Sequence, residues 1–273
     1  MEKKAFACIC PVSVRLKSDP PPDRSVQNLR KLCRWFADHD GVLVAFSGGV
    51  DSSVLAAAAF RSLGQRAVAV TVGSELQSKA DLENAWRTAS EIGIEHIVLE
   101  IGLLEVGEIR ANGPNRCYLC KKAMAERLWE EAKSRGVVTV VDGTNASDKV
   151  EDRPGMRALL EYDIRTPLRE LGITKPEVRV MANQLGLSSA DRPSRSCLAT
   201  KIRGTLTAER LERVEEAEGI LDQGWKIADR GDRVEVWVPA GAALSGEMVA
   251  GLRRIGYRRV MVTRKSSLRS DLL

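Results

Sequence analysis

Hydrophobic positions keep two rhythms along the first half of the chain. Short unbroken apolar runs at Val42–Phe46, Ala67–Val72, His96–Ile101 and Val137–Val141 read as strands buried on both faces. Between them, apolar residues recur every three or four positions over Ser52–Leu63, Lys79–Ile92 and Lys121–Ser134, the spacing of amphipathic helices. A helix over Ser25–Asp38 precedes the series, with Val26, Leu29, Leu32, Cys33 and Phe36 on one face. This alternation predicts an α/β fold, a parallel sheet covered by helices on both faces.

The pattern loosens from Asp142 to about Gly204, where turn formers are frequent and only Pro176–Leu185 reads clearly as a helix. A helix over Thr207–Leu221 follows, with Leu211, Val214, Ala217 and Leu221 inward. RVEVWVP then alternates strictly and puts Val234, Val236 and Val238 on one face of a strand. Ser245 can cap a helix bearing Met248, Leu252 and Ile255, and Val260 and Val262 suggest a last strand. The proline break SDPPPDR sets off the start of the chain. The expected organisation is a tail over 1–24, an α/β domain with cysteine-bearing loops over 25–204, and a small α+β module over 205–273. There is no internal repeat.

Composition narrows the picture a little. A chain of 273 residues with 44% hydrophobic content can bury a substantial core. Aromatics at 4% argue against a base-stacking surface, and a net charge of +5 suits phosphate handling without requiring nucleic acid. The basic residues thicken late, from Arg253 to Arg269, a distribution that a solvated face explains. No apolar run approaches the ~20 residues of a membrane span, so no membrane association is expected. The opening MEKKAFACICP is too short in its apolar part for a secretion signal, and a cytoplasmic location follows as the expectation. In a reducing compartment, six cysteines point to metal or catalysis more than to disulfides.

The strongest local signal is FSGGVDSSV, residues 46–54, which ends a predicted strand and opens a predicted helix. Gly48 and Gly49 permit a sharp turn that exposes backbone N–H groups. With Ser47, Val50, Ser52, Ser53 and the helix N-terminus, they can cradle a pyrophosphate. Asp51 can hold magnesium against the same phosphates. The loop has neither the lysine of a Walker A sequence nor the spacing of GxGxxG. A second polar stretch, VVDGTNASD (140–148), sits at the C-terminal end of a predicted strand, where open parallel sheets bind ligands. It offers Asp142, Thr144 and Asn145 to a nucleotide and Asp148 as a further magnesium ligand.

SGGVDSS resembles the signature of the PP-loop ATP pyrophosphatases, which include GMP synthetase, NAD synthetase and several tRNA thiolases. The resemblance implies a Rossmann-like fold, ATP and Mg2+, and adenylation of an oxygen followed by displacement of AMP. DRPGMRALLE (152–161), TPLRELGITKPEVR (166–179), QLGL (184–187) and RPSRSCLATKI (192–202) follow in order. That series is similar to the LarE family, the ATP-dependent sulfur transferases of nickel-pincer cofactor synthesis, over about residues 25–260. The likeness implies a small-molecule nucleotide substrate, pyridinium-3,5-biscarboxylic acid mononucleotide. It also implies a sulfide or other sulfur donor, a homo-oligomer and no nucleic-acid partner.

Cys197 matches the sulfur-donating cysteine of that family, which single-cysteine members sacrifice. With Cys117 and Cys120 it makes a three-cysteine pattern similar to that of tRNA 2-thiouridine synthetases that hold a 4Fe–4S cluster. The resemblance therefore implies a cluster on Cys117, Cys120 and Cys197, with Asp51 also at the catalytic centre. Read as residues alone, CxxC leaves zinc, a redox pair and a buried inert pair open. Zinc lacks an evident fourth ligand, since the histidines are only His39 and His96. Lys201 and Arg203 are candidates to neutralise a phosphate or AMP, and Arg116 and Arg153 are weaker ones. Cys33 reads as core, and Cys8 and Cys10 as part of the tail. Two departures from the family stand out: Thr200–Lys201 in place of serine–arginine, and the basic ending RVMVTRKSSLRSDLL. Rival functions are a tRNA thiolase, an ammonia-using ligase in which the cysteines idle, and a nucleotide sensor without turnover.

Overall fold

A computed structural model describes residues 24–148, 155–193 and 195–264. The first half alternates Arg24–Ala37 (α1), Val42–Ala45 (β1), Val50–Leu63 (α2), Ala67–Gly73 (β2), Lys79–Ile92 (α3) and Glu95–Glu100 (β3). There follow Gly107–Arg110 (α4), Arg116–Ser134 (α5), Val140–Val141 (β4), Gly155–Glu161 (α6), Pro167–Glu170 (α7) and Lys175–Gln184 (α8). The last part holds Ala208–Ile220 (α9), Lys226–Asp229 (β5), Arg233–Val238 (β6), Gly246–Arg254 (α10) and Arg259–Arg264 (β7).

The expected α/β fold is present. Strands β1 to β4 form one parallel sheet in the order β3-β2-β1-β4. Their side chains alternate between two cores, as a pleated strand demands. Val42, Val44, Ala67 and Ala69 pack with α1, α2, α3 and α8 on one face. Leu43, Val68, Val70 and Val140 pack with α5 and α6 on the other. The chain moves outward from β1 to β3, then returns to place β4 on the opposite side of β1. That reversal opens a crevice at the C-terminal ends of β1 and β4, the usual ligand position in such sheets.

The small module is a three-stranded sheet, β5-β6-β7, antiparallel then parallel, covered by α9 and α10. Val234, Val236 and Val238 are fully buried, as their alternation predicts. Their core also contains Leu76, Leu103, Ile109 and Cys120 from the first half of the chain. The two parts therefore share apolar packing.

Several local expectations needed revision. Helix α5 starts at Arg116, not Lys121, so the CxxC pair lies inside its first turns instead of ahead of it. The strand expected over Val137–Val141 pairs only at Val140 and Val141, because Gly136 turns at φ 67° and Val138 stands 79% exposed. The loose region contains α6 and α7 besides α8. Strand β5 has no alternation to announce it: it offers only Ile227 and Ala228 as apolar residues and ends on a buried carboxylate, Asp229.

Candidate active site

The loop over residues 47–53 links β1 to α2 in the predicted position. Gly48 has φ +68°, and a Cβ there would lie 2.7 Å from both the N and Cα of Ala85 on α3. Only glycine meets both demands. Gly143, after β4, has the same property from the other side: a Cβ would lie 2.9 Å from Ser52 N. The hydroxyls are internal braces. Ser47 Oγ and Ser52 Oγ are 3.2 Å apart, and Ser52 Oγ and Ser53 Oγ donate to Gly49 O at 3.0 and 2.8 Å. Among the described residues no side chain caps α2, whose first intrahelical bond runs from Ser53 N to Gly49 O. The N–H groups of Val50, Asp51 and Ser52 thus face the crevice with the positive end of the helix behind them, a ready site for an anion.

The polar residues after β4 reach this loop. Asn145 Nδ2 donates to Asp51 Oδ1 at 3.1 Å, and Asn145 N donates to Asp148 Oδ2 at 3.0 Å. Asn145 therefore bridges the two carboxylates read as magnesium ligands. Lys175, at the start of α8, forms an ion pair with Asp51 Oδ2. Its place in the site was not foreseen, although Thr174-Lys175-Pro176 carries a helix-start signal that would have put its side chain at an N-terminus. Asp142 binds Thr144 N at 2.9 Å and Lys121 Nζ at 3.1 Å. Burial alone would raise its carboxyl. Lys121 and Thr144 outweigh that and hold it below the usual carboxylate range.

The described residues on either side of Cys197 contact the phosphate loop at one end and, through Asn112, reach Arg116 of the cysteine helix at the other. Arg192 Nη1 donates to Gly48 O at 3.3 Å, and Leu198 N donates to Leu76 O at 3.0 Å. Cys197 lies between them and is exposed, whereas Cys120 is buried and Cys117 intermediate. Burial pushes the Cys120 thiol up to about 12, against the pull of Arg116, and negative charge at Cys197 or Cys117 adds to the rise. Cys120 thus lies within electrostatic reach of both other sulfurs. Arg116 Nη2 stands 3.2 Å from Cys117 Sγ. Among the described residues, no three His, Cys, Asp or Glu side chains are arranged to hold a metal ion. The three thiols have the donor chemistry of a cluster site, but their spacing is not that of a ligand set.

Lys201 does not point to the phosphate loop. It is buried, paired with Glu218 Oε1 at 2.7 Å and donating to Ser196 O at 3.1 Å. Arg203 is exposed and donates to Thr200 O at 3.2 Å. Cys33 packs against the core under α1. Arg153, Cys8 and Cys10 lie outside the described residues. A cleft of about 560 Å3 opens at the C-terminal ends of β2 and β3, between α3 and α9. Leu198 lines it together with Glu75, Glu100, Glu212 and Glu215 against one cation, Lys79, so the cleft is predominantly acidic, the wrong sign for a triphosphate. Among the described residues, no helix is long and apolar enough to cross a membrane.

Comparison with known proteins adds three likenesses and a family match. The profile for asparagine synthase matches residues 37–109. Uncharacterized protein slr1717 of Synechocystis is 38% identical over 198 residues, 72% of this chain and 73% of that protein. A pyridinium-3,5-bisthiocarboxylic acid mononucleotide synthase from Lactiplantibacillus plantarum is 32% identical over 187 residues, 67% of this chain and 68% of the enzyme. Among solved structures, the NH3-dependent NAD synthetase of Campylobacter jejuni in complex with nitrate covers 61% of this chain and 75% of its own, with a TM-score of 0.46 and 19% identity.

Proposed function

This chain belongs to the LarE family of PP-loop enzymes, and from that premise we propose that it is an ATP-dependent sulfur transferase acting on pyridinium-3,5-biscarboxylic acid mononucleotide. A substrate carboxylate oxygen attacks the α-phosphorus of ATP, the bond to the β-phosphate breaks, and pyrophosphate leaves. Sulfur then attacks the acyl carbon of the adenylate, and AMP departs with the oxygen. Repetition on the second carboxylate gives the bisthiocarboxylate.

The observation that carries this reading is the segment from Arg192 to Ile202. Arg192 touches the phosphate loop at Gly48, and Ile202 bonds to Asn112, which in turn holds Arg116 of the cysteine helix, with Cys197 between the two in sequence. Residues Ser47 to Ser53 and the N-terminus of α2 hold the leaving pyrophosphate, where charge builds as the bond breaks. Asp51 and Asp148 are suited to hold magnesium, which takes few carboxylates and completes its shell with phosphate and water. Bound there, it would neutralise phosphate charge. Asp142, Thr144 and Asn145 face the nucleotide, and Lys175 supplies a positive charge beside Asp51.

Cys197 is the sulfur-delivering residue. The nucleophile is a thiolate, and Cys120 stays protonated at neutral pH. If Cys197 gives its own sulfur, Sγ forms a thioester, the Cα proton goes to a base, and cleavage of the Cβ–Sγ bond leaves dehydroalanine. The alternative, an exchangeable sulfide on a 4Fe–4S cluster, would need Cys117, Cys120 and Cys197 to close into a ligand set that their present spacing does not make.

The test is an anaerobic incubation with ATP, Mg2+ and the biscarboxylic acid mononucleotide. Pyrophosphate release should depend on that substrate, and its product should gain sulfur by mass. Intact-protein mass separates the two sulfur sources: loss of the elements of hydrogen sulfide from Cys197 in one case, an unchanged chain with about four irons in the other. No pyrophosphate release would sink the reading. Release driven by tRNA, with steep salt dependence, would replace it with RNA thiolation.

A further inference from the structure

Asn112 is one of two non-glycine residues with positive φ among those described, at +58°, in the turn between α4 and α5. The left-handed region disfavours most side chains by about 1–2 kcal/mol, and asparagine tolerates it better than most. That backbone aims the carboxamide across to the segment after Cys197. Asn112 Nδ2 donates to Ile202 O at 2.8 Å and Gly204 O at 3.1 Å, with Ala199 O at 3.5 Å. Its Oδ1 accepts from Arg116 Nη1, and the other arm of that guanidinium lies on Cys117 Sγ. Beside this contact, Leu206 N donates to Arg110 O at 2.8 Å.

Chemistry allows only one orientation of the amide. A guanidinium only donates and carbonyls only accept, so Oδ1 must face Arg116 and Nδ2 must face the carbonyls. No carboxylate can do both. An aspartate would keep Arg116 and turn a negative charge towards three carbonyl oxygens.

We propose that Asn112 is a positioning residue for sulfur transfer, docking the Cys197 segment onto the first turns of α5 so that Cys197 stays in reach of Cys117 and Cys120. Its effect on turnover rests on the sulfur-transferase reading above; its effect on geometry does not. The residue contributes no chemistry of its own and acts through Arg116 and the backbone of residues 199–204.

The test uses the full chain with Cys8, Cys10 and Cys33 changed to serine, and dibromobimane, which bridges thiols a few ångströms apart. Peptide mapping reports bridges from Cys197 to Cys117 or Cys120, with the Cys117–Cys120 bridge as internal standard. Asn112→Gly keeps the left-handed backbone at little strain, and Asn112→Asp keeps the shape. Both variants should lose Cys197 bridging by about tenfold relative to the standard. In turnover, both should keep pyrophosphate release and lose sulfur transfer by about tenfold to a hundredfold, the scale expected of a 1 Å misplacement. Unchanged Cys197 bridging in either variant, a parallel loss of the Cys117–Cys120 bridge, or equal losses of pyrophosphate release and sulfur transfer would overturn the proposal. Absence of any sulfur transfer in the parent chain would overturn the functional reading and leave the bridging result standing.

Discussion

Asp229 shows how much one residue can organise without touching the reaction. It is fully buried, and its carboxylate accepts from Gly231 N at 2.9 Å, Tyr257 Oη at 2.9 Å, Arg213 Nη2 at 2.6 Å and Arg210 Nε at 2.9 Å. Burial would raise its carboxyl, but the Gly231 N–H and the two arginines outweigh that and hold it below the usual range. A carboxyl lowered by folding stabilises the protein above its unfolded value, about 4, and loses that contribution as pH falls through the folded value. Asp229→Asn leaves two guanidinium groups without their counter-charge and should cost about 3–5 kcal/mol. Urea midpoints from pH 7 down to acid should fall steeply for the parent and less so for the variant; parallel curves would refute this role. At the same scale, Gly48, Asp51 and Asp142 were legible because strand–loop–helix chemistry is local. Lys175 and Asn112 were not. Each acts across a long stretch of chain: Lys175 to Asp51, 124 residues away, for the one, and Asn112 to Ile202 and Gly204, 90 and 92 residues away, for the other.

At the scale of elements, the correction at α5 matters most. The polar residues Arg116, Lys121 and Lys122 mask the helical rhythm, which is why periodicity alone starts the helix after the cysteines. Within the helix, Cys117 and Cys120 are three residues apart and share a face. The segment from Arg192 to Ile202 was legible as a motif but not as a bridge. Lys201 read as a phosphate contact, yet it turns to Glu218 on α9, where Arg195 joins it. Lys201→Met and Glu218→Gln should therefore couple in a double-mutant cycle by about 1–3 kcal/mol of unfolding free energy, with ATP affinity unchanged. Weaker ATP binding without coupling would return Lys201 to the phosphate.

For the whole molecule, the order of elements and the parallel sheet followed from periodicity, since strands buried on both faces leave unbroken apolar runs. The boundary near residue 204 is where periodicity misleads. Alternation in RVEVWVP says that one face is covered, but not by what. The cover includes Leu76, Leu103, Ile109 and Cys120 from before the boundary. A chain ended at residue 204 would expose that apolar set to water. We expect it to bind hydrophobic dyes and aggregate, and the full chain to melt in one transition. A soluble, cooperatively folded fragment would show the cores to be separable.

The contacts at Gly48 and Gly143 carry a last consequence. Backbone, not side chain, grips the phosphate loop from α3 on one side and from the β4 loop on the other. A loop wedged in this way has little conformational freedom left to lose. The entropy of ordering it, about 1–2 kcal/mol for each residue fixed, is spent when the chain folds and not when the nucleotide arrives. Affinity at this site should then reflect the new hydrogen bonds almost undiminished, and a change that loosens either neighbour would weaken binding without removing a single ligand contact.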